Sequence, residues 1–282
     1  MKISSVGVLG SGQMGNGIAQ VVAISDLKVT LVDISPEFLE RGLRNIKNSL
    51  NKLVSKQKIS AQELQGALSN ISTSTNFSSI SECDLIIEAI PEIPDLKFKT
   101  FSELDKICNA KTILATNTSS ISINEIANST SRPDRVIGMH FMNPVPIMKL
   151  VEIINGKSTS PEVSKTIISL TEKLGKIPLC CNDSPGFVSN RILCPMINEA
   201  ILTLQEGVAE PEAIDGIMKL GMNHPIGPLA LADLIGLDTV LNIMRVLHEG
   251  FNDEKYAPAN LLIEMVKENK LGRKTNIGFY EY

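Results

Sequence analysis

The chain has 282 residues, of which 43% are hydrophobic and 21% charged, with a formal net charge of −4. At roughly 150 residues per domain, this length predicts two domains, each large enough to bury a core. The composition is that of a globular protein, the negative charge argues against generic nucleic-acid binding, and no apolar run reaches the ~18 residues of a membrane helix.

The chain opens Met1-Lys2-Ile3-Ser4-Ser5-Val6 and enters a strand-like run at once. It shows neither a signal-peptide core nor an Arg-rich transit segment, so a cytoplasmic protein is expected. Five cysteines are an odd number, Cys180 and Cys181 are adjacent, and there is no Cys-x-x-Cys. A disulfide framework and a zinc site are both disfavoured, and buried thiols in a reducing compartment are expected.

Short apolar runs at 6–9, 28–32, 85–89, 112–116, 136–139, 150–154 and 176–180 read as buried strands separated by helical patterns. That alternation predicts a mostly parallel sheet covered on both faces. After the second run, Ser35 can cap a helix with Pro36 at its first position. Leu39, Leu43, Ile46, Leu50 and Leu53 then form one apolar stripe, with Arg41, Arg44, Lys52 and Lys56 on the far side. Ser60-Ala61-Gln62-Glu63 is a capping box that starts another helix. The character changes at Asn182-Asp183-Ser184-Pro185-Gly186. Beyond it, helical patterns follow one another at 188–206, 211–220, 228–235, 237–250 and 260–270. The predicted organisation is an α/β Rossmann-type domain over 1–183 and an all-helical domain over 184–282.

Gly10-Ser11-Gly12-Gln13-Met14-Gly15 is a G-x-G-x-x-G placed after the first strand and at the start of a helix predicted over 16–23. Asp33 ends the second strand, 18 residues beyond Gly15. Together these form the dinucleotide fingerprint. Gly10 permits the tight turn, Gly12 lets the backbone approach a pyrophosphate, and Gly15 lets the helix pack on the strand. An acid at the position of Asp33 accepts hydrogen bonds from ribose hydroxyls and repels a 2′-phosphate, which favours NAD over NADP. Arg41 is near enough in sequence to offset that repulsion.

The chain has three histidines. His140 lies just past the run 136–139, where open α/β sheets place ligands, and is followed by a loop with two prolines, Pro144 and Pro146. Glu152 falls inside a predicted strand, an unfavourable place for an unpaired carboxylate. A carboxylate beside a histidine fixes its tautomer and supports its protonated form. Position alone leaves a structural histidine equally open. His224 reads as part of a turn and His248 as a helix residue, and no His/Asp/Glu cluster has metal-ligand spacing, so no metal is expected.

Three segments carry a more specific signal: Asn117-Thr118-Ser119-Ser120, the run from His140 through Asn143-Pro144-Val145-Pro146 to Glu152, and Pro185-Gly186-Phe187-Val188-Ser189-Asn190-Arg191. They resemble the 3-hydroxyacyl-CoA dehydrogenase family, above all its bacterial 3-hydroxybutyryl-CoA members, and the resemblance runs essentially from end to end. It implies that His140 takes the 3-hydroxyl proton while hydride leaves for the nicotinamide, that Glu152 orients His140, and that Ser119 and Asn190 hydrogen-bond the reacting oxygen. It further implies cofactor contacts from Gln13, Met14, Glu92, Lys97, Asn117, Ser119 and Asn143 beside the glycines and Asp33. Lys52 and Lys56 would contact the phosphates of CoA. The active site would lie between the domains, in a homodimer that binds neither membrane nor nucleic acid.

The residues also admit blander roles. Ser119 and Ser120 could start the helix that follows, Asn190 could be a helix-surface residue, and the lysines an ordinary solvated face. The implied reaction is reversible oxidation of an L-3-hydroxyacyl-CoA, with a short chain such as 3-hydroxybutyryl, to the 3-oxoacyl-CoA. The rivals are a free hydroxy-acid dehydrogenase on the same plan and a nucleotide-binding protein without catalysis.

Overall fold

The computed structural model describes all residues, 1–282, and the chain forms two compact units, Met1–Asp183 and Ser184–Tyr282. In the first unit the strands are β1 (Ser5–Leu9), β2 (Lys28–Val32), β3 (Ile71–Ser74), β4 (Leu85–Glu88), β5 (Ile113–Thr116), β6 (Val136–Phe141), β7 (Leu150–Asn155) and β8 (Ile177–Asn182). Its helices are α1 (Gln13–Ile24), α2 (Pro36–Ser55), α3 (Ala61–Ser69), α4 (Pro94–Ile107), α5 (Ile123–Asn128) and α6 (Pro161–Lys173). The strands form one sheet in the order β3-β2-β1-β4-β5-β6-β7-β8. Every neighbouring pair is parallel except β6 and β7. The chain winds one way from β1 to β2 and the other way to β4, so the loop after β1 sits at a topological switch point, where such sheets bind ligands.

The strands are those whose apolar residues have neighbours on both faces: β4, β5 and β6 are buried throughout. Helix α2 lays Leu39, Ile46 and Leu50 into the core and leaves Arg41, Arg44 and Lys52 in solvent. Ser35 caps it by accepting the Phe38 N–H, and the capping box of Ser60 and Glu63 starts α3.

Local pattern misses several points. Strand β3 has no counterpart in the apolar pattern, because Ser72, Thr73 and Ser74 carry no apolar signal; it is an edge strand held to β2 by the main-chain ladder. His140 is not beyond its strand but within it, since pairing with β7 carries β6 through Phe141. The helix of the glycine motif begins at Gln13, not at residue 16. Cys83, Cys108 and Cys194 are buried thiols, but Cys180 is exposed, because β8 is the other edge of the sheet. Burial pushes the Cys83 and Cys108 thiols up to about 11 and that of Cys194 up to about 12.

The second unit is helical: α7 (Ser189–Gln205), α8 (Pro211–Gly221), α9 (Pro228–Ile235), α10 (Leu237–Phe251) and α11 (Asn260–Lys267). Its own core gathers Ile197, Ile201, Leu229, Leu241, Met244 and Leu262. The buried carboxylate of Asp233 accepts the Phe279 and Tyr280 N–H groups and the Tyr282 hydroxyl, which ties down the C-terminal segment. No helix of the chain is long and apolar enough to cross a membrane.

Candidate active site

The loop after β1 is shaped for a phosphate. Gly10 has φ +98°, and a Cβ there would stand 2.5 Å from the Ala89 carbonyl oxygen. A Cβ on Gly15 would stand 1.7 Å from the Gly10 carbonyl oxygen, so α1 reaches its place only with glycine there. At Gly12 a Cβ would meet nothing within 4 Å, which leaves open space before the first turn of α1. No side chain caps that turn, so its N–H groups and the positive end of the helix dipole face the space where a pyrophosphate fits.

Asp33 braces this loop. Its Oδ2 accepts the Ser11 N–H at 2.6 Å and the Ser11 hydroxyl at 2.7 Å, and its Oδ1 accepts the Ile34 N–H at 2.7 Å. Arg41 stacks its guanidinium over the Phe38 ring at 5.0 Å. Gln13, exposed at the start of α1, donates from Nε2 to Asn143 Oδ1 at 3.0 Å, linking the glycine loop to the loop after β6. Met14 is half-buried beside it. Asn117, just past β5, accepts the Phe141 N–H at 2.9 Å and joins the ends of β5 and β6.

The Asn117–Ser120 segment is organised around Glu92. The Oε1 atom of Glu92 accepts the N–H groups of Ser119 at 2.9 Å and Ser120 at 3.2 Å, together with the hydroxyls of Thr118 and Ser120. Burial alone would raise the Glu92 pKa, but the Lys97 ammonium and these donors together hold it below the usual carboxylate value. Lys97 is 1% exposed, and its Nζ lies 2.5 Å from Glu88 Oε1 and 3.2 Å from Glu92 Oε2. Glu88 is itself fully buried and also accepts the Thr116 hydroxyl at 2.7 Å. Lys97 thus bridges the fully buried carboxylate of Glu88 and the partly exposed carboxylate of Glu92. The helix that follows is capped by Ser122, not by Ser119 or Ser120.

His140 and Glu152 are partners in the register of the antiparallel pair, and His140 Nδ1 lies 3.0 Å from Glu152 Oε2. Both are buried. The other carboxylate oxygen, Oε1, lies 3.9 Å from Cys181 Sγ on β8. The main-chain ladder therefore sets the imidazole–carboxylate geometry, and two side chains that would each be costly to bury alone satisfy one another.

Lys52 is exposed in the last turn of α2, and Lys56, also exposed, closes that helix through its N–H to the Lys52 carbonyl. Asn190 is half-buried in the first turn of α7, with its N–H on the Gly186 carbonyl. His248 pairs with Glu254 at 3.3 Å, in solvent. Of the residues that organise the site, Glu88 and Thr116 carry no sequence signal beyond their place in strand-like runs, and Ser11, Thr118 and Ser120 show only as hydroxyl residues inside the glycine motif and the 117–120 segment.

The family model described as 3-hydroxyacyl-CoA dehydrogenase, NAD binding domain, matches residues 5–184, and that of its C-terminal domain matches residues 186–282. A 3-hydroxybutyryl-CoA dehydrogenase of Clostridioides difficile is 52% identical over 275 residues, covering 98% of each chain. One from Bradyrhizobium diazoefficiens is 49% identical over 280 residues, covering 99% of this chain and 96% of that protein. The crystal structure of (S)-3-hydroxybutyryl-CoA dehydrogenase from Ralstonia eutropha superposes with a TM-score of 0.98 at 51% identity, covering 100% of this chain and 99% of that one.

Proposed function

The chain belongs to the 3-hydroxyacyl-CoA dehydrogenase family, an NAD-dependent oxidoreductase family, and from that premise we propose that it interconverts L-3-hydroxyacyl-CoA and 3-oxoacyl-CoA, with a short acyl chain such as 3-hydroxybutyryl. The observation that carries this reading is the buried pair His140–Glu152 at 3.0 Å, on a sheet whose glycine loop fits a dinucleotide.

Bound NAD supplies the hydride acceptor. Oxidising a secondary alcohol also releases a proton, and His140 is the group that takes it. With Nδ1–H donating to Glu152, Nε2 of the neutral ring is the nitrogen that faces the 3-hydroxyl and acts as general base. Glu152 holds that tautomer and offsets the positive charge as the ring becomes an imidazolium. Ser119 and Asn190 hydrogen-bond the oxygen as it turns from hydroxyl into carbonyl. In the reverse direction the imidazolium returns the proton to that oxygen.

Around this centre, Gly10, Gly12, Gln13, Met14 and Gly15 cradle the pyrophosphate, and Asp33 accepts a ribose hydroxyl while its other bonds brace Ser11. Asn117, Ser119 and Asn143 line the cofactor side. The carboxylate of Glu92 meets the cofactor from the loop it organises, and Lys97 acts there through Glu92. Lys52 and Lys56 offer charge to the phosphates of CoA. The same proposal gives cofactor binding to residues 1–183 and substrate and subunit contacts to 184–282, in a homodimer. Exposed Ile217, Leu220 and Met222 on and after α8 provide apolar surface for a second copy. A cytoplasmic home accords with five free cysteines.

An assay of nicotinamide absorbance with short, medium and long 3-oxoacyl-CoAs tests the reading. Turnover highest on the four-carbon ester supports it. Turnover on a free 3-oxo acid but on no CoA ester would replace it with a hydroxy-acid dehydrogenase.

A further inference from the structure

Lys176, the residue before β8, is 8% exposed and makes no ion pair. Its Nζ donates to two main-chain carbonyls, those of Val145 and Met148, the latter at 2.7 Å. Burying an ammonium is costly unless acceptors meet its donors, and here one short loop supplies two of them. Burial draws the Lys176 pKa below its ordinary value of 10.5.

That loop is the connection between β6 and β7. Within it the Pro144 carbonyl accepts the N–H groups of Ile147 and Met148, both at 3.0 Å. The carbonyls of Val145 and Met148 are thereby left to Lys176. Val145 is 2% exposed and packs on α1 so closely that a Cβ on Gly17 would stand 2.9 Å from its Cβ. Asn143, in the same loop, holds Gln13 at the start of α1. The two strands that the loop joins carry His140 and Glu152 as register partners. Immediately after the lysine, the Ile177 N–H donates to the Lys149 carbonyl at 2.8 Å, so Lys176 is itself fixed by the ladder of β8.

We infer that Lys176 is a positioning residue that ties the β6–β7 loop to β8 while Val145 and Asn143 of that loop meet α1, and so sets the seat of the nicotinamide cofactor and steadies the loop that joins the strands of His140 and Glu152, without touching cofactor or substrate. The effect on turnover rests on the reaction proposed above; the effect on cofactor binding does not. A misplacement of about 1 Å at a reacting centre can cost ~10²-fold in rate, and a loop released from two hydrogen bonds can move that far.

The test uses the full chain with Lys176→Met, which keeps the length of the side chain and loses the donors, and Lys176→Arg, which restores N–H groups. NADH affinity is read by fluorescence titration, and kcat and KM by nicotinamide absorbance with 3-oxobutyryl-CoA. Lys176→Met should lower kcat roughly tenfold or more and raise the NADH dissociation constant several-fold, with KM for the acyl-CoA essentially unchanged. Lys176→Arg should recover most of both losses. A Lys176→Met protein that melts earlier but keeps wild-type kcat and NADH affinity overturns the inference, because that is what a merely structural lysine would show. If Lys176→Met does not fold, Lys176→Gln is read by the same criteria. If the wild type turns over no acyl-CoA, the proposed reaction fails, and the NADH titration alone decides the role of Lys176.

Discussion

Ser119 is held by Glu92: the Ser119 N–H donates to Glu92 Oε1 at 2.9 Å, and the neighbouring Ser120 N–H donates to the same atom at 3.2 Å. A carboxylate on a different loop thus fixes the main chain that carries Ser119 and Ser120. Replacing Glu92 with Gln keeps an acceptor but removes the charge that Lys97 pairs with. Loss of charge-assisted bonds of this kind costs about 1–3 kcal/mol, toward the lower end here because solvent reaches the carboxylate. The pKa of Glu92 is lowered in the folded protein, so its contribution is fully present above the ordinary value of 4.5 and is lost as the pH falls through the folded value. Urea unfolding should show Glu92→Gln less stable than wild type at neutral pH, with the gap closing in acid below 4.5. A gap that persists unchanged in acid would mean that ionisation of Glu92 is irrelevant to folding.

Asp33 has a structural task besides the proposed ribose contact. Its Oδ2 accepts twice from Ser11, so removing it would loosen the glycine loop as well as the contact proposed with the ribose. Asp33→Ala should weaken NAD binding most, weaken NADP binding less, and so narrow the preference between them. Steady-state kinetics with both cofactors measure this. A wild type that already favours NADP would refute the assignment, and Arg41, now stacked on Phe38, would be the first residue to examine.

The strands with continuous apolar runs were legible in the sequence because burial on both faces demands Val, Ile and Leu, and the capped starts of α2 and α3 were legible because caps are local chemistry. Strand β3 was hidden, since an edge strand of Ser and Thr is held by its neighbour and not by its side chains. The glycine motif, Asp33, His140 and Glu152 stood out as residue types in unusual places. The strand position of His140 did not, because β6 extends past Met139 only through its pairing with β7, a long-range fact. The partners that permit the burial of Lys97, Glu88 and Lys176 did not stand out either: Lys97 meets Glu88 nine residues away and Lys176 meets the Val145 carbonyl 31 residues away, contacts that no local pattern announces.

Lys52 and Lys56 make no ion pair and stand in solvent at the end of α2. If they meet the phosphates of CoA, the double substitution to Ala should raise KM for acyl-CoA several-fold and leave NADH affinity alone. Exposed charges are screened over about 10 Å at 0.1 M salt, so the difference between wild type and variant should shrink as salt is added. Equal KM values at low salt would reduce this face of α2 to ordinary solvation.

His140 and Glu152 should behave as one unit. Oxidation needs a base for the hydroxyl proton as hydride departs, and a neutral imidazole suits that near neutral pH. His140→Ala should therefore cost roughly 10²–10⁴-fold in turnover. NADH affinity should change little, since the glycine loop and Asp33 lie on β1, α1 and β2. Glu152→Gln retains the shape of the side chain and can still lie opposite His140 in the ladder. It removes the negative charge, and its amide can donate to Nδ1 and favour the tautomer with the proton on Nε2, which is useless as a base. It should slow turnover strongly with the fold intact. Groups that act together are non-additive, so the double variant should be little slower than His140→Ala alone. If the two losses multiply instead, Glu152 acts independently of the histidine, and the 3.0 Å contact is a structural bond rather than the support of a base. If His140→Ala keeps near-normal turnover, the proton goes elsewhere and the catalytic assignment falls with it.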